Sequence, residues 1–303
     1  MSKHAASLTA GILASAIVLA GSFSAAAQSG SPPNFAPTAS TSWFAYSRAW
    51  ISPASGPGPV LQDPTRPHVT NDEFRVTGRQ PTQPVADLNN PILQPWARDT
   101  VRKRNELVLS GKAVFSQHAS CWPIGVPAFI LQPMTRPMYI VQTPKAVVMM
   151  LTSFNDVRHI YLTDKHSENL KPSWYGESIG RYEGDTLIVD TIGLNDRTFV
   201  DGFGTPHTKD LHVIERFRLT EAGKVLEANV RIEDPGAFTI PWNAIQRFRL
   251  YNEASTKIPV ERLAQLATPA EGPLTEAICA ENPNSFFPNV PALPVPTASK
   301  PDF

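Results

Sequence analysis

Apolar and polar positions alternate through the middle of the chain in short runs, the period of strands with one buried face. Runs at 126–131, 138–143, 146–152 and 157–163 follow one another with short connections. A hairpin comes next, Ile179 to Tyr182 and Thr186 to Thr191 about a Glu183-Gly184-Asp185 turn, and then Leu211 to Leu219, Lys224 to Glu233 and Ile245 to Asn252. Glycine and aspartate at a turn followed by β-branched residues suit a tight antiparallel connection. That is about eight to nine strands in sequence, with no helical crossover long enough for a parallel sheet. The pattern predicts a mainly β fold, an antiparallel meander closing into a calycin-like β-barrel over 121–258, with a β-sandwich as the alternative.

The flanks read differently. Trp96 to Ser110 is helical in pattern, with Pro95 in its first turn, Val101, Leu107 and Val108 on one side and Gly111 to stop it. Arg98, Arg102, Lys103 and Arg104 are expected on its solvated face. The rest of 42–120 mixes aromatics with frequent Pro and Gly, which predicts a segment that wraps the core without joining its sheet. Residues 28–41 are Ser/Pro/Ala-rich and expected to be a flexible linker; 259–303 is a Pro-rich tail, with a short helix from Val260 to Ala267.

At the N-terminus, Lys3 and His4 precede an apolar run from Leu8 to Leu19, and Ala25-Ala26-Ala27 stand before Gln28. This reads as a signal peptide over 1–27, cleaved after Ala27. A permanent anchor needs about 20 apolar residues, whereas Ser15, Gly21 and Ser22 break this run. A periplasmic or secreted protein follows, without membrane contact once the signal is removed. Such a compartment is oxidising, so the two cysteines, Cys121 and Cys279, are expected to form a disulfide. Charge balances at 27 basic against 27 acidic residues, so nucleic acid is not an expected partner.

Chemistry concentrates between Ser178 and Leu219. Along the last strand of that stretch Glu215 shares a face with Leu211, Val213, Phe217 and Leu219, and a carboxylate there must be paired or protonated. Arg181 or Arg247 would pair with it; otherwise it is a carboxyl of raised pKa available for proton transfer. Asp190 lies on the face of Ile188, opposite Leu187 and Val189, so it shares a cavity with Glu215 only if barrel closure or a bulge re-aims one strand. His207 precedes the strand in a loop from which it would swing to a barrel mouth, and His212 is the second residue of the strand from Leu211. His159, alternating with Val157 and Tyr161, is expected in the core. Catalytic candidates are therefore His207, His212, Glu215 and Asp190, with Arg181, Tyr182 and Asn195 for substrate. A metal site would need Asp190, His166 or another distant ligand, so neither a metal nor a cofactor is expected. GxGxxG, GxxxxGK[ST] and GxSxG are absent, which argues against nucleotide and serine-hydrolase chemistry.

The strings CWPIGVP, YIVQTPKAVVMML, SIGRYEGDTLIVDTIGLNDRTF, GTPHTKDLHVIERFRL, RIEDPGAFTIPW and ICAEN occur in that order from Cys121 to Asn282. Their joint order resembles a family of exported bacterial proteins whose central block reads GRWEGDTLVVDTxGFN, followed by PHSxxLHVxERF. The resemblance implies a single β-rich domain with matched positions at Arg181, Glu183, Asp185, Asp190, Asn195, His207, His212 and Glu215. This chain departs from the pattern mildly, at Tyr182, Leu194 and Thr208. The family lends a location for a site and no reaction.

Two functions are expected from these residues. One is an exported, cofactor-independent enzyme that uses general acid/base catalysis, as a lyase, isomerase or hydrolase, on a small, partly apolar molecule held in the barrel. The alternative is an exported carrier for such a ligand. An enzyme gathers acid, base and anion stabiliser around a cavity, whereas a carrier pairs its charges away from it.

Overall fold

The computed structural model describes residues 31–38, 41–49, 60–69, 77–112, 114–115, 117, 121–131, 138–151 and 156–251. The stretch expected to be a signal peptide, Cys279, the helix expected from Val260 to Ala267 and the Pro-rich tail lie outside the described residues. The strands are β1 (Ser42–Ala49), β2 (Met138–Gln142), β3 (Ala146–Leu151), β4 (Asp156–Tyr161), β5 (Glu177–Glu183), β6 (Thr186–Ile192), β7 (His212–Thr220), β8 (Val225–Glu233) and β9 (Trp242–Tyr251). They form a closed barrel in which each strand lies beside its neighbours in sequence and β9 returns to β1. The fold is the mainly β barrel that the alternation predicts, and closure leaves no free edge.

One pair departs from the expected meander. β4 and β5 run parallel through Ile160↔Ser178 and Tyr161↔Ile179, and every other neighbouring pair is antiparallel. Nine is an odd number, so strict alternation of direction would leave β9 parallel to β1. A single parallel step restores opposite directions, and β9 pairs antiparallel with β1 from Ser42↔Tyr251 to Ala49↔Ile245. Segment 162–176 makes this possible by carrying the chain back along the barrel without helical structure of its own.

Four further expectations are corrected. The aromatic stretch read as a wrapping segment supplies β1, which closes the barrel. The run 126–131, read as a strand, is instead the one-turn helix α2 (Ala128–Leu131), wholly buried. Pro127 cannot donate to a ladder, and Phe129 N bonds Gly125 O at 2.8 Å to start the turn. An apolar run of this length fits either element. The longer helix, α1 (Pro95–Leu109), buries Ala97, Val101 and Asn105 rather than Leu107, which is 42% exposed. Asn105 is buried because its amide pairs with both backbone groups of Ala86, N–H to Oδ1 at 3.0 Å and Nδ2 to O at 2.8 Å. On its other side Arg102 and Lys103 pair with Asp99 in solvent, but Arg104 turns inward and donates to Phe115 O at 2.8 Å. Part of the stretch expected as a linker packs on the barrel, where Phe35 is 0% exposed within the core cluster.

α1, α2 and the loop between β8 and β9 belong to one buried cluster with Ile92, Leu93, Ile124, Phe238 and Trp242. Gln94 N bonds Ala237 O at 2.9 Å and Thr239 N bonds Ile92 O at 2.7 Å, which fixes this cap to the barrel end where β7 and β9 begin. Among the described residues no helix is long and apolar enough to cross a membrane.

Candidate functional site

β6 and β7 pair from Thr186↔Arg218 to Thr191↔Val213 without a shift in register. No bulge re-aims either strand, so the alternation of each is preserved: Leu187, Val189 and Thr191 face inward with Val213, Glu215 and Phe217, and all six are buried. Asp190 faces outward. The proposed shared cavity for Glu215 and Asp190 is thereby corrected, since the barrel wall separates them.

Inside, Glu215 is 0% exposed and its partner is neither Arg181 nor Arg247 but Arg158 of β4, also 0% exposed. Arg158 Nη1 donates to Glu215 Oε1 at 2.8 Å and Nη2 to Oε2, a two-pronged pair across the lumen. The remaining Arg158 donors reach Ser178 Oγ of β5, from Nη2 at 3.1 Å and Nε at 3.3 Å, and Thr191 Oγ1 of β6 at 3.0 Å. Four consecutive strands thus contribute one polar side chain each to a layer in which both charges are satisfied, as a buried ion pair requires. Nearby, the Tyr175 hydroxyl donates to Asp156; burial, reinforced by that carboxylate, pushes the phenol pKa well up. Glu215 is held as structure, not left available for proton transfer.

Outside, on the same strands, Asp190 Oδ1 accepts from two imidazoles, His212 Nε2 and His166 Nε2, each at 3.0 Å. His212 is the diagonal cross-strand neighbour of Asp190 on this face, close enough for side chains to meet, and His166 comes from segment 162–176. His212 Nδ1 lies 3.5 Å from Glu233 Oε2 on β8, and His166 Nδ1 lies 3.8 Å from Glu177 Oε1 on β5. Glu177 is itself fixed by the Ser167 N–H at 3.0 Å and hydroxyl at 3.1 Å. An ionised carboxylate only accepts, so both Nε2 atoms carry hydrogen. The hydrogen bond that His212 donates to Asp190, with help from Glu233, raises the His212 pKa against partial burial; His212 in turn lowers that of Asp190. At 31% exposure each, His212 and Asp190 remain open to solvent and solutes.

The other candidates scatter. His207 does not swing to a mouth: it is 3% exposed, with Nδ1–H donated to Thr208 O at 2.8 Å and Nε2 2.7 Å from Thr198 Oγ1. Burial lowers its pKa and keeps it neutral, a strut in the loop between β6 and β7. The same loop is stapled by Asp201, which accepts from Phe203 N, Thr205 N and the Thr205 hydroxyl, and by Asp234, which accepts from Thr208 N and its hydroxyl. Arg181 is exposed and paired with Glu183 at 2.8 Å. Tyr182 points into the lumen and accepts from Gln142 at 2.9 Å. Asn195 caps its own turn at Arg197 N, 3.0 Å away. Arg247 pairs with Glu227 on the outer face. His159, expected in the core, is exposed and stacked on Tyr161 at 6.3 Å between ring centroids.

The structure therefore brings Asp190 and His212 together, adds His166, and separates them from Glu215, His207 and the three substrate candidates. Arg158 was missed because the alternation of Val157, His159 and Tyr161 suggested the wrong inward face for β4. The available signal was the polar set Ser178, Thr191 and Glu215 recurring on the inward faces of three neighbouring strands, which calls for a cation. Among the described residues no group of three or more His, Cys, Asp or Glu is arranged to hold a metal ion. No protein-family model, curated protein or solved structure matches the chain.

Proposed function

We propose that this is an exported, cofactor-independent enzyme whose proton-transfer group is His212, oriented by Asp190, on the outer face of the barrel. The observation that carries the reading is the shared Asp190 Oδ1, 3.0 Å from the Nε2 atoms of both His166 and His212. A carboxylate that fixes an imidazole through one nitrogen leaves the other free to exchange a proton with a bound molecule. Here that second atom is His212 Nδ1, and the Glu233 carboxylate beside it favours the charged, acid form. Loss of this proton leaves a neutral ring that accepts at the same atom, so one residue serves as acid and then base. A lyase, isomerase or hydrolase acting on a small, partly apolar molecule fits this equipment. By the criterion that a carrier pairs its charges away from its cavity, the lumen does not favour the carrier alternative, because the charges of Arg158 and Glu215 are paired inside it.

The test is turnover of a panel of small esters, lactones and β-hydroxy acids by the wild type, Asp190→Asn and His212→Asn. Acid/base work predicts a loss of about 10²-fold or more in both variants with the fold intact. Unchanged turnover in both removes this site, and a panel without turnover leaves the carrier as the better account. Export after Ala27 and a Cys121–Cys279 bridge belong to the same proposal. Non-reducing peptide mapping of the exported protein is expected to find Gln28 at the N-terminus and the two cysteines linked. An intact Met1 end or free thiols would sink the corresponding half.

A further inference from the structure

The other end of the barrel, where β2 ends and β5 turns into β6, is occupied by the chain's own N-terminal segment. Phe35 is 0% exposed, yet Ser31, Pro32, Asn34, Pro37 and Thr38 around it are exposed. One aromatic side chain is inserted and its neighbours stay outside, the arrangement of an anchor residue in a pocket. The backbone of this anchor is read by side chains of the lumen. Gln142 Oε1 accepts from Phe35 N at 2.7 Å, Gln142 Nε2 donates to Pro33 O at 2.9 Å, and Trp43 Nε1 donates to Phe35 O at 2.9 Å. Gln142 also donates to the Tyr182 hydroxyl at 2.9 Å, and since β2 and β5 are not neighbours this bond crosses the lumen and sets the amide's orientation.

Among the described residues no backbone-to-backbone hydrogen bond ties 31–37 to the barrel. The contrast is Ala86, which the Asn105 amide clamps in a similar way but which is also bridged through its backbone to Gln62. Ala86 is part of the framework, whereas the hydrogen bonds that hold the Phe35 backbone among the described residues come from lumen side chains.

We propose that this end of the barrel is a binding site for a short extended peptide carrying an aromatic side chain, filled in cis by Pro33–Phe35. Gln142 and Trp43 recognise the peptide groups and the lumen takes the ring, so the ligand class is set by an amide pattern and an aromatic anchor. The tether from Phe35 to Trp43 is short, which gives the segment an effective concentration on the order of millimolar and excludes weak competitors until it is released. The site is at the opposite end from the barrel cap and does not depend on the reading of His212 and Asp190.

The experiment keeps the whole chain. A protease recognition sequence inserted between Ala39 and Ser40 allows the N-terminal segment to be severed after folding. Fluorescent peptide SPPNFAP, the sequence of 31–37, is then added to cut and uncut protein after extensive dialysis. Expected is saturable binding to the cut protein alone, weakened by at least about 30-fold when the peptide's Phe is Ala. Gln142→Ala in the cut protein is expected to weaken it by about tenfold. Loss of the cooperative thermal transition on release of the segment overturns the proposal, because Phe35 would then be framework. Equal binding to uncut protein, absence of binding to cut protein, or indifference to the Phe likewise overturns it.

Discussion

Glu215 and Asp190 stand on adjacent strands, Glu215 opposite Val189 and Asp190 opposite Ile214, so that a single step along the ladder separates them. That step changes everything around the carboxylate. Glu215 is buried in the lumen, where its charge is tolerable because Arg158 meets both oxygens and Ser178 and Thr191 satisfy the rest of the guanidinium. Asp190 lies in partial contact with water, where two imidazoles gather on one oxygen and neither is enclosed. The same carboxylate chemistry becomes a buried ion pair on one face and a partly exposed carboxylate–imidazole cluster on the other. The parity of a strand, set by register, decides which.

Replacing each carboxylate by its amide grades this contrast. Glu215→Gln leaves Arg158 charged and buried without its counter-ion, and the expected loss is about 3–5 kcal/mol in chemical denaturation. Glu227 is the intermediate case: it lies on the outer face, but Arg218 at 2.6 Å and Arg247 at 2.8 Å cover it to 6% exposure. Glu227→Gln is expected to cost about 1 kcal/mol, and Asp190→Asn less than that. The double variant Arg158→Met/Glu215→Leu should recover most of the loss, since an apolar pair of similar volume replaces the buried ions. A Glu215→Gln protein as stable as the wild type would break the contrast at its strong end, and a failed rescue would show that the layer does more than balance charge.

Much of the barrel was legible because half-buried strands write their period into the sequence, and β6 to β8 do so with Leu187, Val189, Val213, Phe217, Ala228 and Val230. The inward charge of Glu215 was legible for the same reason. Its partner was not: Arg158 and Glu215 are far apart in the chain, and the local pattern of β4 favours Val157 and Tyr161, which are 39% and 51% exposed. β1 was obscured by surrounding Pro and Gly, and α2 by the ambiguity of a short apolar run. Asp190 and His212 were both legible as titratable groups on neighbouring strands, but the meeting with His166 depends on the path of 162–176, which no periodicity encodes. Phe35 was hidden because one aromatic residue in a Ser/Pro/Ala stretch gives no pattern at all.

The smallest expected effect sharpens the outer end of the comparison. Asp190 raises the His212 pKa above its ordinary 6.5, so the stability gained from the charged imidazole is complete below about pH 6.5 and lost as pH rises through the folded value. Asp190 is itself lowered from 3.8, so its share is present above that value and lost as pH falls through the folded one. The two together act fully between about pH 4 and 6.5. Glu233 faces His212 and favours its charged ring, and Glu177 lies 3.8 Å from His166. Buried His207 works in the opposite direction, costing stability as pH falls below 6.5, because its pKa is lowered. Subtracting the curve of Asp190→Asn from that of the wild type cancels His207, which is common to both. The difference should be up to about 1 kcal/mol larger at pH 5.5 than at pH 8.5, a figure held down by solvent screening at this exposure. Titration of the His212 ring by NMR should show the matching shift, a midpoint above the unfolded value in the wild type and a lower one in Asp190→Asn. Identical midpoints in the two proteins would mean that Asp190 does not hold the imidazole in solution, and the outer cluster would lose the physical basis on which its chemistry is proposed.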